Sequence, residues 1–80
     1  MARVQWSEAA HGVFLELPIK TRRAIAEKIR LLRLFPRMYQ MRSKGRFRRH
    51  RRFVAGDWVV YYRVVENTVY IRGLWPARLP

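Results

Sequence analysis

The stretch that decides the fold is RRFVAGDWVVYYRVVENTVYIRGLW, residues 51–75. It has no helical period. Residues 58–65 are almost wholly β-branched or aromatic, the composition that suits a pleated, half-buried surface. Ala55-Gly56-Asp57 before them and Glu66-Asn67 after them read as turns, the second a tight hairpin signal. Residues 69–75 then form another strand, which Pro76 ends. On the upstream side, residues 47–54 read as the first strand of this antiparallel meander. Period 2 sorts the side chains. Trp58, Val60, Tyr62 and Val64 share one face, assigned to the core; Val59, Tyr61, Arg63 and Val65 share the open face. In the last strand Val69, Ile71, Gly73 and Trp75 are expected inward, with Tyr70 and Arg72 outward. In residues 47–54, Phe47 and Phe53 share a parity and mark a core face. Arg48, His50 and Arg52 then point with Arg63 and Arg72, while Arg49 and Arg51 fall on the Phe face and must lie beyond the core's edge.

A sheet with one apolar face needs a cover, and the N-terminal half supplies it. Residues 2–6 alternate weakly and read as a short strand. Ser7 is placed to cap a helix beginning at Glu8, whose carboxylate suits the helix dipole. Ala9, Ala10, Val13, Phe14 and Leu17 fall at helical spacing, and Pro18 ends that helix and opens the next. Residues 18–35 gather Ala24, Ile25, Ile29, Leu31, Leu32 and Phe35 on one broad side and Arg23, Arg30, Arg33 and Arg37 on the other. Pro36 stops them. The element order is β-α-α-β-β-β, an α+β domain with a two-helix hairpin on a mainly antiparallel sheet, expected as one domain over residues 1–80.

The chain carries 18 Lys+Arg against 5 Asp+Glu, a formal net charge of +13, and fifteen of the cations are Arg. A disordered basic tail would lack the 50% of hydrophobic residues found here. No cysteine is present, which excludes disulfides, thiolate catalysis and Cys-based zinc sites. No apolar run approaches the ~18 residues of a membrane span, and the first residues lack the apolar stretch of a secretory signal; the expected compartment is the cytoplasm, without membrane attachment. Such a charge balance is the footprint of a nucleic-acid binder, with an acidic protein partner as the alternative.

The charge is concentrated. Seven of the eleven residues 42–52 are Lys or Arg and none is acidic. Arg42, Lys44, Arg46, Arg48 and Arg72, with Tyr61 and Tyr70 as stacking groups, are the candidate nucleic-acid contacts. The plainer reading is a solvated strand edge that blocks aggregation. His50, surrounded by Arg, is expected to be held neutral by like charge and so able to accept a proton; His11 reads as structural. The single Asp, Asp57, sits in a turn, and no metal cluster, phosphate loop or Ser/His/Asp set is found, so no metal or cofactor is expected. Chemistry built from Arg, His and Tyr suits phosphodiester cleavage by a ribose 2′-OH, with guanidinium groups on the developing charge.

Three stretches, VQWSEAAHGVFLELP (4–18), RRAIAEKIRLLRLFP (22–36) and RRFVAGDWVVYYRVVENTVYI (51–71), resemble the RelE/ParE superfamily of bacterial type II toxins. The resemblance is one of ordered pattern over nearly the whole chain: a strand, a Ser- or Thr-capped helix, a second helix ending in Pro, and a Gly-aromatic turn leading into a YRV strand and hairpin. It implies a microbial-ribonuclease-like α+β fold and a cognate antitoxin, often acidic, from a neighbouring gene. RelE-like members cut mRNA on the ribosome; ParE-like members poison DNA gyrase. Carried over by position, the RelE-like reading puts proton abstraction on His50 or Arg52, phosphate charge on Arg63 and Arg48, and an acid or charge-stabilising role on Arg78. Val59 stands where RelE-like enzymes carry an Arg, and the closing GLWPARLP departs from their usual ending. The expected function is a toxin that inhibits translation as a ribosome-dependent endoribonuclease; the alternatives are a non-catalytic gyrase poison and a basic nucleic-acid-binding module without toxicity.

Overall fold

A computed structural model describes residues 1–78. Its elements run β1 (Arg3–Trp6), α1 (Glu8–Glu16), α2 (Ile19–Leu34), β2 (Arg51–Ala55), β3 (Trp58–Val65) and β4 (Thr68–Pro76), in the expected β-α-α-β-β-β order. The sheet order is β1-β4-β3-β2; β1 runs parallel to β4, and the other pairs are antiparallel. Each helix boundary has a local cause. The Ser7 hydroxyl accepts the Ala10 N–H at 3.1 Å, capping α1. The same residue donates its own N–H to Ile71 O (2.9 Å) and its hydroxyl to Arg72 O (3.3 Å), so the cap also fastens α1 to β4. Pro18 opens α2, and the chain leaves it at Phe35, whose N–H still reaches Leu31 O.

The helices cover one face of the sheet, α1 over β4 and α2 over β2. Ile25, Ile29 and Leu32 of α2, at i, i+4 and i+7, meet Phe53, Val60, Tyr62, Val69 and Ile71 in the core. The buried stripe is narrower than the helical wheel suggests: Leu31 is 43% and Phe35 60% exposed. Tyr62 is fully buried, and its hydroxyl donates to Pro36 O at 3.1 Å. Burial pushes its pKa up to about 12. Arg51 lies on the same inner face at the sheet's edge and donates to Tyr39 O (2.6 Å) and Arg37 O (3.4 Å). Tyr62 and Arg51 together pin the segment leaving α2 to the sheet, which explains how an Arg can share the face of Phe53.

Two expectations are corrected. The first meander strand begins at Arg51, not at residue 47. Gly45 (φ 87°) and Arg49 (φ 66°) take left-handed backbone and turn the chain between them. Arg48 N–H to Gly45 O, Arg49 N–H to Arg42 O and Arg42 N–H to His50 O close the basic run into a loop. Arg51 pairs with Tyr62, so a straight strand would carry Phe47 past the core to the level of the Glu66 turn. Folding back lets that ring cover another part of the sheet. Second, Gly73 and Trp75 do not face inward. Tyr61 pairs with Gly73 while Tyr62 pairs with Ile71, leaving Arg72 as an extra residue, a β-bulge. One added residue reverses the alternation beyond it: Leu74 is buried at 5% exposure, while Gly73 and Trp75 reach the open face.

Candidate functional site

The open face of the sheet is ordered in rows by strand register. Arg52, Tyr61 and Gly73 form one row; Arg63, Tyr70 and Gln5 the next; Val54, Val59 and Trp75 the third. Arg52 and Arg63 are therefore diagonal neighbours on adjacent strands, a separation that long side chains bridge. The 46–50 turn lies over one end of this face. The Phe47 ring stacks on Tyr61, with centroids 4.0 Å apart and planes 11° from parallel. It also meets Trp75 at 6.3 Å and receives the His50 ring edge-on at 5.5 Å. Arg46 places its guanidinium 5.3 Å from the Trp75 ring and 5.9 Å from Phe47, within cation–π range.

Gly73 makes this possible. A Cβ there would lie 3.3 Å from Phe47 Cζ and 3.2 Å from Trp75 Nε1. Gly73→Val should lift Phe47 off Tyr61 and cost about 1–3 kcal/mol by overpacking. The urea midpoint should fall and amide exchange should quicken in residues 44–50; an unchanged midpoint would show that the ring is only loosely seated.

The candidate residues separate into groups. Arg42, Lys44 and Arg52 come together with Ser43 around a recess of about 260 Å³ beside β2. Arg46, His50 and Arg72 line a second cleft, of about 550 Å³, between α1 and the turn. Arg63 and Tyr70 sit in their own row, Tyr61 lies beneath Phe47, and Arg48 is exposed on the turn. Arg78 is exposed beyond β4. No acidic residue lines either cavity, and among the described residues the one ion pair is Glu27–Arg30, on the surface of α2. The His50 Nδ1 lies 3.1 Å from Arg48 O. A carbonyl can only accept, so Nδ1 carries the proton of this contact, and Nε2 is left unengaged by it. No group of three or more His, Cys, Asp or Glu that could hold a metal occurs among the described residues, and none of their helices is long and apolar enough to cross a membrane.

Parity from the sequence places Tyr61, Arg63, Tyr70 and Arg52 outward, where the structure has them. It misses Phe47, Gly73 and Trp75. Gly73 is the one signal that could have found them, since an isolated Gly in a strand marks a bulge or a close approach.

Two helices on one face of a mostly antiparallel four-stranded sheet, in the order β-α-α-β-β-β, make up the fold. Solved structures share it. A chain of the intact E. coli RelBE toxin–antitoxin complex superposes with a TM-score of 0.84 at 14% identity, covering 99% of this chain and 100% of that one. The archaeal RelE–RelB complex of Pyrococcus horikoshii gives 0.70 at 21% identity (99% and 98% covered), and the chromosomal ParDE system of P. aeruginosa gives 0.69 at 17% (98% of each). At these identities the likeness is one of fold. By sequence, no curated protein matches, but the model of the ParE toxin of the type II toxin–antitoxin system parDE matches residues 4–78. The chain belongs to that family, and is thus a type II toxin of the RelE/ParE superfamily.

Proposed function

We propose that this toxin arrests growth by docking on DNA gyrase through its open face and basic loop, without cleaving nucleic acid, and that a cognate antitoxin with an acidic segment neutralises it by covering the same cations. The observation that carries the reading is the Phe47–Tyr61 stack. It covers the Tyr61 ring, the neighbour of Arg52 in its row, so that ring is taken up by Phe47 rather than open to a substrate base. The groups left around it are mostly guanidiniums, which have donors and no acceptor and so make poor bases. Val59, in the row of Val54 and Trp75, offers no charge for a developing phosphorane. Membership of the ParE family supports the gyrase target, and the ParDE and RelBE structures support the antitoxin.

Purified toxin should halt supercoiling by gyrase while leaving mRNA intact in a cell-free translation system. His50→Ala should keep growth arrest within about twofold of the parent, because docking without cleavage uses no imidazole as a base. If that substitution abolishes arrest and the parent truncates mRNA on the ribosome, the RelE-like reading replaces this one, with His50 and Arg52 at the proton and Arg63, Arg48 and Arg78 on the phosphate.

A further inference from the structure

We propose that the cleft between α1 and the 46–50 turn binds a single nucleotide unit, its base against Trp75 and Phe47 and its phosphate on Arg46 and Arg72. The cleft exists because β1 is short. Its pairing with β4 ends at Trp6 and Ile71, so from Arg72 onward β4 has no strand beside it on that side among the described residues. α1 stands across the gap instead and presents the small side chains of Ala9, Ala10 and Val13. The opposite wall is aromatic, Phe47 and Trp75, with Gly73 as a flat floor between them. The volume, about 550 Å³, is of the size that encloses a small ligand.

The chemistry of the lining narrows the occupant. An apolar wall facing aromatic rings favours a thin planar group, because stacking on an aromatic surface tolerates any base. Arg46 and Arg72 at the rim favour an anion: the lining holds no carboxylate, and neither guanidinium is in an ion pair among the described residues. Arg forks match phosphate geometry. His50, with Nδ1 engaged by Arg48 O, keeps Nε2 to meet a polar base edge. A planar, apolar-faced, anionic ligand with polar edges is a nucleotide, either free or as one residue of a single strand. The site does not depend on docking to gyrase, and its test reads binding alone.

Calorimetric titration of the intact toxin with adenosine monophosphate should give saturable binding and quench tryptophan fluorescence, with inorganic phosphate failing to compete at equal concentration. Trp75→Leu should weaken binding roughly 5- to 150-fold, the usual range for losing one base stack. Trp75 is already 43% exposed, so the fold should survive. Arg46→Ala should weaken binding, while Arg23→Ala on the far side of α2 should not. A short oligoadenylate binding more tightly than the monophosphate, with the same dependence on Trp75, would identify a single strand as the source; equal affinity would identify the free nucleotide. The proposal is overturned if phosphate competes as well as the nucleotide, if Arg23→Ala weakens binding as much as Arg46→Ala, or if Trp75→Leu has no effect. An acidic peptide that occupies the cleft where the nucleotide does not would overturn it in favour of a protein ligand.

Discussion

Exchanging Arg46, Arg48 and Arg49 for glutamate should abolish growth arrest. Each exchange removes one positive charge and adds one negative, so the net charge falls from +13 by six, to +7. All three side chains are exposed on the turn and none is in an ion pair among the described residues, so the thermal midpoint should move little. At a protein interface, close charge pairs couple by about 1.5–7 kcal/mol. Losing three, and replacing them with repulsion, should weaken inhibition of supercoiling at least ~100-fold. Salt provides the internal control. The parent's potency should fall as ionic strength rises, since the Debye length shrinks from about 10 Å at 0.1 M to about 3 Å at 1 M. The triple variant should have lost that slope. Full potency in the variant would move the docking surface away from the turn, toward the exposed apolar residues Phe35 and Met38 beyond α2.

Tyr62→Ala should destabilise the fold by about 3–5 kcal/mol, the range for removing a large buried aromatic side chain. For a domain whose total stability lies around 5–15 kcal/mol, that is about a fifth or more of it. The substitution empties the space against Phe53 and also orphans Pro36 O, the acceptor of the Tyr62 hydroxyl. Tyr62→Phe isolates the second effect and should cost only about 1 kcal/mol. The two variants should therefore separate clearly in urea melts; equal losses would mean that the hydroxyl, not the ring, holds the post-helical segment. The same group sets an alkaline limit. Its pKa is about 12 in the fold against about 10 in an unfolded chain. Between those values the unfolded state loses the proton first. The protonated ring's contribution is thus fully present below pH 10 and falls away as pH rises toward 12, by roughly 2–3 kcal/mol in all. In Tyr62→Phe that part of the alkaline loss should vanish.

Much of the architecture can be read from the residues because local and tertiary demands agree. Ser7, Pro18 and Pro36 bound the helices chemically, and the alternation through residues 58–65 assigns both faces of the central strand. The failures have definite origins. Nothing about Arg49 announces left-handed backbone, which side-chain-bearing residues seldom adopt, so the basic run looks extended when it is folded back. The face assignment of β4 fails after Arg72 because parity counting assumes an uninterrupted ladder. Both errors bear on the site more than on the fold. They misplace Phe47 and Trp75, the two rings that shape the cleft, while the concentration of cations is visible from counting alone. Charge is written into composition; the order in which charged and aromatic groups meet is written into two turns and a bulge.

The parallel pairing of β1 with β4 has a temporal consequence. Synthesis delivers the first strand well before its partner among the described residues, the last of the four to leave the ribosome. Until then the opening residues have nowhere to dock, and the helical hairpin lacks the surface it must cover. A nascent chain of this design cannot complete its sheet until its last strand has emerged.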